Sequence, residues 1–92
     1  MQIRVIEAAM THSKEDGYRG YVQFHYGEHK QPYELALFSK RGIDWDYSLI
    51  FAKESGPEEE ILIIEDKLEK DDDFFDELVD AAYEKLEDEP SE

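Results

Sequence analysis

A chain of 92 residues without a cysteine has room for one domain and one core, and it excludes disulfides, thiolate metal ligands and cysteine nucleophiles in one step. The formal net charge of −15 belongs entirely to one end: residues 1–53 balance seven bases against seven acids, whereas residues 54–92 set eighteen acids against Lys67, Lys70 and Lys85. That field repels nucleic acid and anionic membrane and attracts basic surfaces.

Hydrophobic content of 40% and aromatic content of 13% support a packed interior despite the charge. Adaptation to high salt would spread the acids over the whole surface, and here they are segregated. No apolar run exceeds four residues, Ile61-Leu62-Ile63-Ile64 among them, far short of the roughly 20 residues that span a bilayer. Glu7 interrupts the first apolar stretch and no signal-peptide core follows it. The expected location is the cytoplasm, with no membrane partner and no direct nucleic-acid partner.

Taken along the chain, residues 2–10 are apolar enough for a strand whose alternation breaks at Val5-Ile6, the mark of a bulge. Asp16-Gly17 is a turn signal. Residues 21–26 then alternate, with Val22, Phe24 and Tyr26 on one face and Tyr21, Gln23 and His25 on the other. After a loop ending at Pro32, residues 33–39 set Tyr33, Leu35 and Leu37 against Glu34, Ala36 and Phe38. Lys40-Arg41-Gly42 turns the chain into a fourth strand over residues 47–53, and Ser55-Gly56-Pro57 turns it again.

Residues 58–66 are ambiguous. Within that window Ile61, Leu62, Ile63 and Ile64 point in four directions on a helical wheel and define no face, whereas a strand places two on each side and suits β-branched isoleucine. The segment is therefore expected as a fifth, central strand.

Residues 73–87 carry the clearest pattern in the chain. Phe74, Phe75, Leu78, Val79, Ala82 and Leu86 fall within an arc of about 140°, and Asp76, Glu77, Asp80, Glu84, Glu87 and Asp88 fill the opposite side. Asp71, Asp72 and Asp73 stand where carboxylates cap free amides and oppose the positive end of the dipole. The expected fold class is α+β: a mostly meandering antiparallel β-sheet of about five strands with one C-terminal amphipathic helix packed across it. Residues 1–88 form the domain, and residues 89–92 form a frayed acidic tail.

Chemistry is sparse. There is no Gly-rich phosphate loop, no G-x-S-x-G elbow and no H-E-x-x-H pair, and among the serines only Ser13 has a histidine beside it, His12 of the polar first loop. The chain is not expected to be an enzyme or to hold a cofactor. His25 and His29 have a spacing that chelates zinc on a helix, but Gly27 places them across a hairpin, and two loop histidines are the expected reading. Asp71, Asp72 and Asp73 with Asp76 and Glu77 could gather a hard cation, yet they lack the alternation and glycine of a calcium loop. Helix capping explains the same residues, so no metal site is expected.

The acidic helical face invites a functional reading. Asp76–Asp80, Asp80–Glu84 and Glu84–Asp88 are like-charge i,i+4 pairs, each costing about 0.2–0.5 kcal/mol. Interspersed lysines would give solubility without that cost. The expected function is non-catalytic binding of a basic protein surface through Asp76, Glu77, Asp80, Glu84, Glu87 and Asp88, in the manner of an immunity protein, an antitoxin or a regulator. Imitation of duplex DNA is a further alternative: six acids over about 25 Å of helix give less than half the charge density of a duplex, which carries one per about 1.7 Å. The rival from another class is a structural homodimer whose acidity serves solubility. One helix cannot cover five strands, and strands with Ala36, Phe38, Ile50 and Ala52 on their second face need a cover.

Overall fold

A computed structural model describes residues 3–88, with side chains described as far as residue 86. Four antiparallel strands run in chain order: β1 (Ile3–Ser13), β2 (Gly17–Tyr26), β3 (Tyr33–Ser39) and β4 (Asp46–Phe51). Two helices follow, α1 (Glu58–Lys70) and α2 (Asp72–Tyr83), and a three-residue strand β5 (Leu86–Asp88) closes the order. The sheet order is β4-β3-β2-β1-β5, and β5 lies parallel to β1. Residues 89–92, expected as a frayed tail, lie outside the described residues.

The α+β class and the antiparallel meander hold; the C-terminal half differs from expectation in two places. Residues 58–66 are not a strand but the greater part of α1. The reason lies just beyond that window. Pro57 occupies the N-cap, Glu58, Glu59 and Glu60 fill the first turn, and Lys67 and Lys70 fill the last. That distribution complements the helix dipole at both ends. With Leu68 included, Ile61, Ile64 and Leu68 form a face at i, i+3 and i+7; Ile64 and Leu68 are buried, while Leu62 and Ile63 are about half exposed.

The second correction concerns the last helix, expected over residues 73–87. It ends at Tyr83. Its last turn holds no base to meet the dipole, and the N–H of Lys85 bonds back to the carbonyl of Ala82 at 2.9 Å, tightening the turn. Leu86 then sits beside Met10 as the first residue of β5 instead of extending the helical stripe. The single C-terminal helix is thus a helical pair, hinged at Asp71. This residue closes α1 and caps α2, its Oδ1 accepting from the N–H of Phe74 at 3.1 Å. That bond, with Lys67 Nζ at 3.4 Å, holds the Asp71 carboxyl below the usual carboxylate range.

Both helices lie on one face of the sheet. Val22, Phe24, Tyr33, Leu35 and Leu37 of the strands meet Ile64, Leu68, Phe74, Leu78, Val79 and Ala82 of the helices in one core. Each large side chain buried there contributes about 1.5–3 kcal/mol from its removal from water. The opposite face of β3 and β4 exposes Ala36, Phe38 and Ile50. Alternation resumes on β1 after a bulge at Ile6, between the pairs Val5–Phe24 and Glu7–Gln23. The broken alternation at Val5-Ile6 marks that irregularity in the sequence.

Tyr33 ties the hairpin loop to the start of α1. Its ring is fully buried against Phe24 and stacked on Phe51, and its hydroxyl lies 2.8 Å from Nδ1 of His29. Burial, with the nearby Glu60 carboxylate, pushes the Tyr33 phenol up from 10.0 to about 12. The fold therefore favours the neutral phenol. The associated stability is fully present below pH 10 and is lost as pH rises from about 10 towards 12. Denaturant midpoints measured across that window should fall more steeply for the native protein than for Tyr33→Phe. Equal slopes would mean that the Tyr33 hydroxyl is not held in this environment.

Candidate interaction surface

The acidic residues singled out above do not all share one helix. Asp76, Glu77 and Asp80 lie on α2, and Glu84 is its C-cap, so these four keep the helical spacing. Glu87 and Asp88 fall in β5, beyond the turn, and are not part of the helical face. Asp73, read from the sequence as part of a cap, joins the four on the same side of α2.

These five carboxylates form one wall of an open groove of ≈ 450 Å³. Its floor is apolar: Ile3 and Val5 of β1, with Ala81 of α2. Among the described residues no lysine or arginine lines it. The groove follows from how α2 lies over the sheet. Its N-terminal turn packs Phe74 edge-on to Phe24 and Tyr26 near Ile3, and its end comes down beside Ala8 and Met10. With Leu78, Val79 and Ala82 turned into the core, the residues between them are left along the β1 side.

Glu77 is half-buried, whereas Asp76, Asp80 and Glu84 are exposed. Lys67 shares a neighbouring cavity with Asp73 and Glu77, but among the described residues no base lines the groove itself, so it combines a negative potential with apolar surface. Such a surface can attract and hold a cation-bearing chain. Ile3, Val5 and Ala81 were not singled out from the sequence. The alternation of Ile3 and Val5 signals that they share a face, but nothing local links that face to a helix seventy residues away.

The other candidates fall apart in space. His25 lies opposite Arg4 on the face away from the helices, whereas His29 packs against Tyr26 and Tyr33, so the two do not converge on a metal. Among the described residues no group of three or more histidine or acidic side chains could hold a metal ion. Asp71 is committed to capping, and Asp72 and Asp73 stand exposed in the first turn of α2. A ring cluster of His12, Tyr18, Trp45 and Tyr83 closes the far end of the core, with Gly42 against Tyr18 and Tyr83. The hydrogen bond between Tyr83 and Tyr18, followed by burial, pushes the Tyr83 phenol up. Those rings pack on one another with neighbouring centroids 4.5 to 6.1 Å apart.

Among the described residues no helix is long and apolar enough to cross a membrane. Comparison of the chain with protein-family models, with curated proteins and with solved structures finds no match.

Proposed function

We propose that the protein is a small acidic, non-catalytic binding module that engages a basic protein surface, in the manner of an immunity protein, an antitoxin or a regulator. The observation that carries this reading is the unrelieved acidic wall of α2, where Asp76, Glu77, Asp80 and Glu84 line a groove without a base among its described residues. The contrast with α1 supports it. On that helix Lys70 pairs with Asp66 at 3.0 Å and Lys67 with Asp71 at 3.4 Å, so lysines at helical spacing are used elsewhere in the same acidic half. On α2 the repulsion is left standing. A surface that keeps an internal electrostatic cost is suited to releasing it when a cationic partner arrives.

Capture of partners on the immobilised protein, at low and at high salt, tests the reading. A basic protein held at low salt and released at high salt is the expected outcome; recovery of nothing but the protein itself would contradict it. Replacing Asp80 and Glu84 by lysine should raise the stability of the isolated fold slightly, by a few tenths of a kcal/mol, while weakening that capture. Denaturant melts and the same capture assay read the two effects separately, and capture unchanged by the replacement would leave solubility as the role of the wall.

A second reading, a homodimer, is favoured by one observation. Phe38 and Ile50 are exposed together on the sheet face that neither helix covers. Arg19 lies over the Phe38 ring at 5.8 Å, and Gln23 bonds to Glu34 at 2.8 Å, so polar groups interleave that face. C₂ pairing of this face would turn the acidic helices outward, and salt would strengthen it by screening. Sedimentation equilibrium at low and high salt decides between monomer and dimer.

A further inference from the structure

The same groove has a second wall that the charge does not reveal: an open edge of the sheet. Among the described residues, Met10, Thr11 and His12 of β1 pair with β5, whereas residues 3–9 pair with β2 alone. Alternate residues of that stretch direct their N–H and C=O groups outward, with no strand to receive them. Because β5 runs parallel to β1 from Met10 onward, its direction carries the chain away from this edge. The open stretch begins at Ile3 and narrows where the end of α2 comes down beside Ala8 and Ala9, and the groove beneath α2 runs beside its Ile3 and Val5.

From this geometry we infer that the partner segment binds as an added strand: an extended chain with Lys or Arg at every second position pairs with residues 3–9 of β1. The inference rests on the basic-partner reading and goes further by fixing the conformation and spacing of what is recognised. The backbone edge sets the conformation, since only an extended chain meets its outward groups. The groove sets the spacing. Side chains of an added strand alternate between the two faces of the sheet. Those on the helix side pass over Ile3 and Val5 and end among Asp76, Asp80 and Glu84. Long basic side chains fit both demands, with apolar stems on the floor and charged heads at the carboxylates. On the other face the added strand meets Arg4, Glu7 and Ala9, which favour small polar residues. The bulge at Ile6 divides the edge into two short pairing stretches, so side-chain charge supplies what the interrupted ladder cannot.

The opposite edge, β4, lacks this combination. Asp46 stands on that strand and Glu65 and Glu69 of α1 lie near its Tyr47, but the cavity beside Asp46 opens among Ala36, Phe38 and Ser48 on the face away from the helices and holds a base, Arg19.

The probe is the peptide acetyl-Lys-Thr-Lys-Thr-Lys-Thr-Lys-amide, with two analogues N-methylated either at every lysine or at every threonine. In an added strand only one alternate set of N–H groups faces β1. One analogue should therefore bind at least about tenfold more weakly than the parent, and the other about as well. Amide exchange should slow at residues 3–9 on binding the parent, and the Asp80→Lys/Glu84→Lys variant should lose the peptide. Parent and both analogues binding alike, still dependent on Asp80 and Glu84, would overturn strand addition and leave the basic-partner reading intact. Protection at Asp46–Phe51 instead, or protection of residues 3–9 by a second copy without peptide, would overturn it too. So would a parent peptide that does not bind at low salt. The basic-partner reading fails separately, when salt-sensitive capture of a protein is absent.

Discussion

Truncating Leu78 to alanine is expected to destabilise the fold by about 2–5 kcal/mol, and Ile64→Ala by a similar amount. Both side chains are fully buried, Leu78 from α2 and Ile64 from α1, and each truncation leaves a cavity between helix and sheet. For a domain of this size the loss is a large fraction of total stability. The informative comparison is with their neighbours. Leu62 and Ile63 are 54% and 49% exposed, so alanine at either should cost less than about 0.5 kcal/mol. In a strand, Ile61 and Ile63 would share one face and Leu62 and Ile64 the other. In the helix, Ile61, Ile64 and Leu68 share one. Denaturant melts of the single variants therefore distinguish the two structures. Sensitivity at Ile63 equal to that at Ile64 would mean that the segment is not helical as described. Phe75, which the sequence places on the core arc, is only half-buried against Tyr47, and its truncation should cost less than that of Leu78.

Replacing Gly20 by valine should be as damaging for the opposite reason. Gly20 faces Met10 across the β1–β2 pair and Leu37 across the β2–β3 pair. A β-carbon there would overlap the carbonyl oxygen of Ala9 and approach the α-carbon of Met10 to 3.0 Å. Both obstacles are backbone, so no rotamer relieves them, and β1 would have to move off β2. The expected loss is about 3 kcal/mol or more. Since β1 also carries the groove floor, this variant should lose the partner along with the fold. A Gly20→Val protein with native melting behaviour would mean that the two strands are not in the stated register.

The half of the chain that is readable from sequence is the half with simple local rules. Val22, Phe24, Tyr33, Leu35 and Leu37 alternate, turn residues separate their strands, and one register follows. The broken alternation at Val5-Ile6 marks the bulge directly. The C-terminal half resists because its signals compete. Four consecutive apolar residues, Ile61 to Ile64, satisfy a strand as well as a helix; the deciding residues are the acids before them and Lys67, Leu68 and Lys70 after them. The end of α2 is set by tertiary pairing. Leu86 continues the helical spacing, yet packing beside Met10 outweighs one more turn. That choice removes Glu87 and Asp88 from the acidic face. The groove is legible only on its α2 side, because its floor and edge come from Ile3 and Val5, at the other end of the chain.

The central claim is that the α2 wall, and not net acidity, recognises a basic partner. Two double reversals change the net charge equally: Asp80→Lys/Glu84→Lys on α2 and Glu65→Lys/Glu69→Lys on the exposed side of α1. The measurement is the association rate of the captured basic protein with the native chain and with each variant, at one low ionic strength. The α2 reversal should slow association at least about tenfold, and the α1 reversal should change it by no more than about twofold. Equal slowing by both would mean that the partner responds to charge alone and that the α2 wall has no special role.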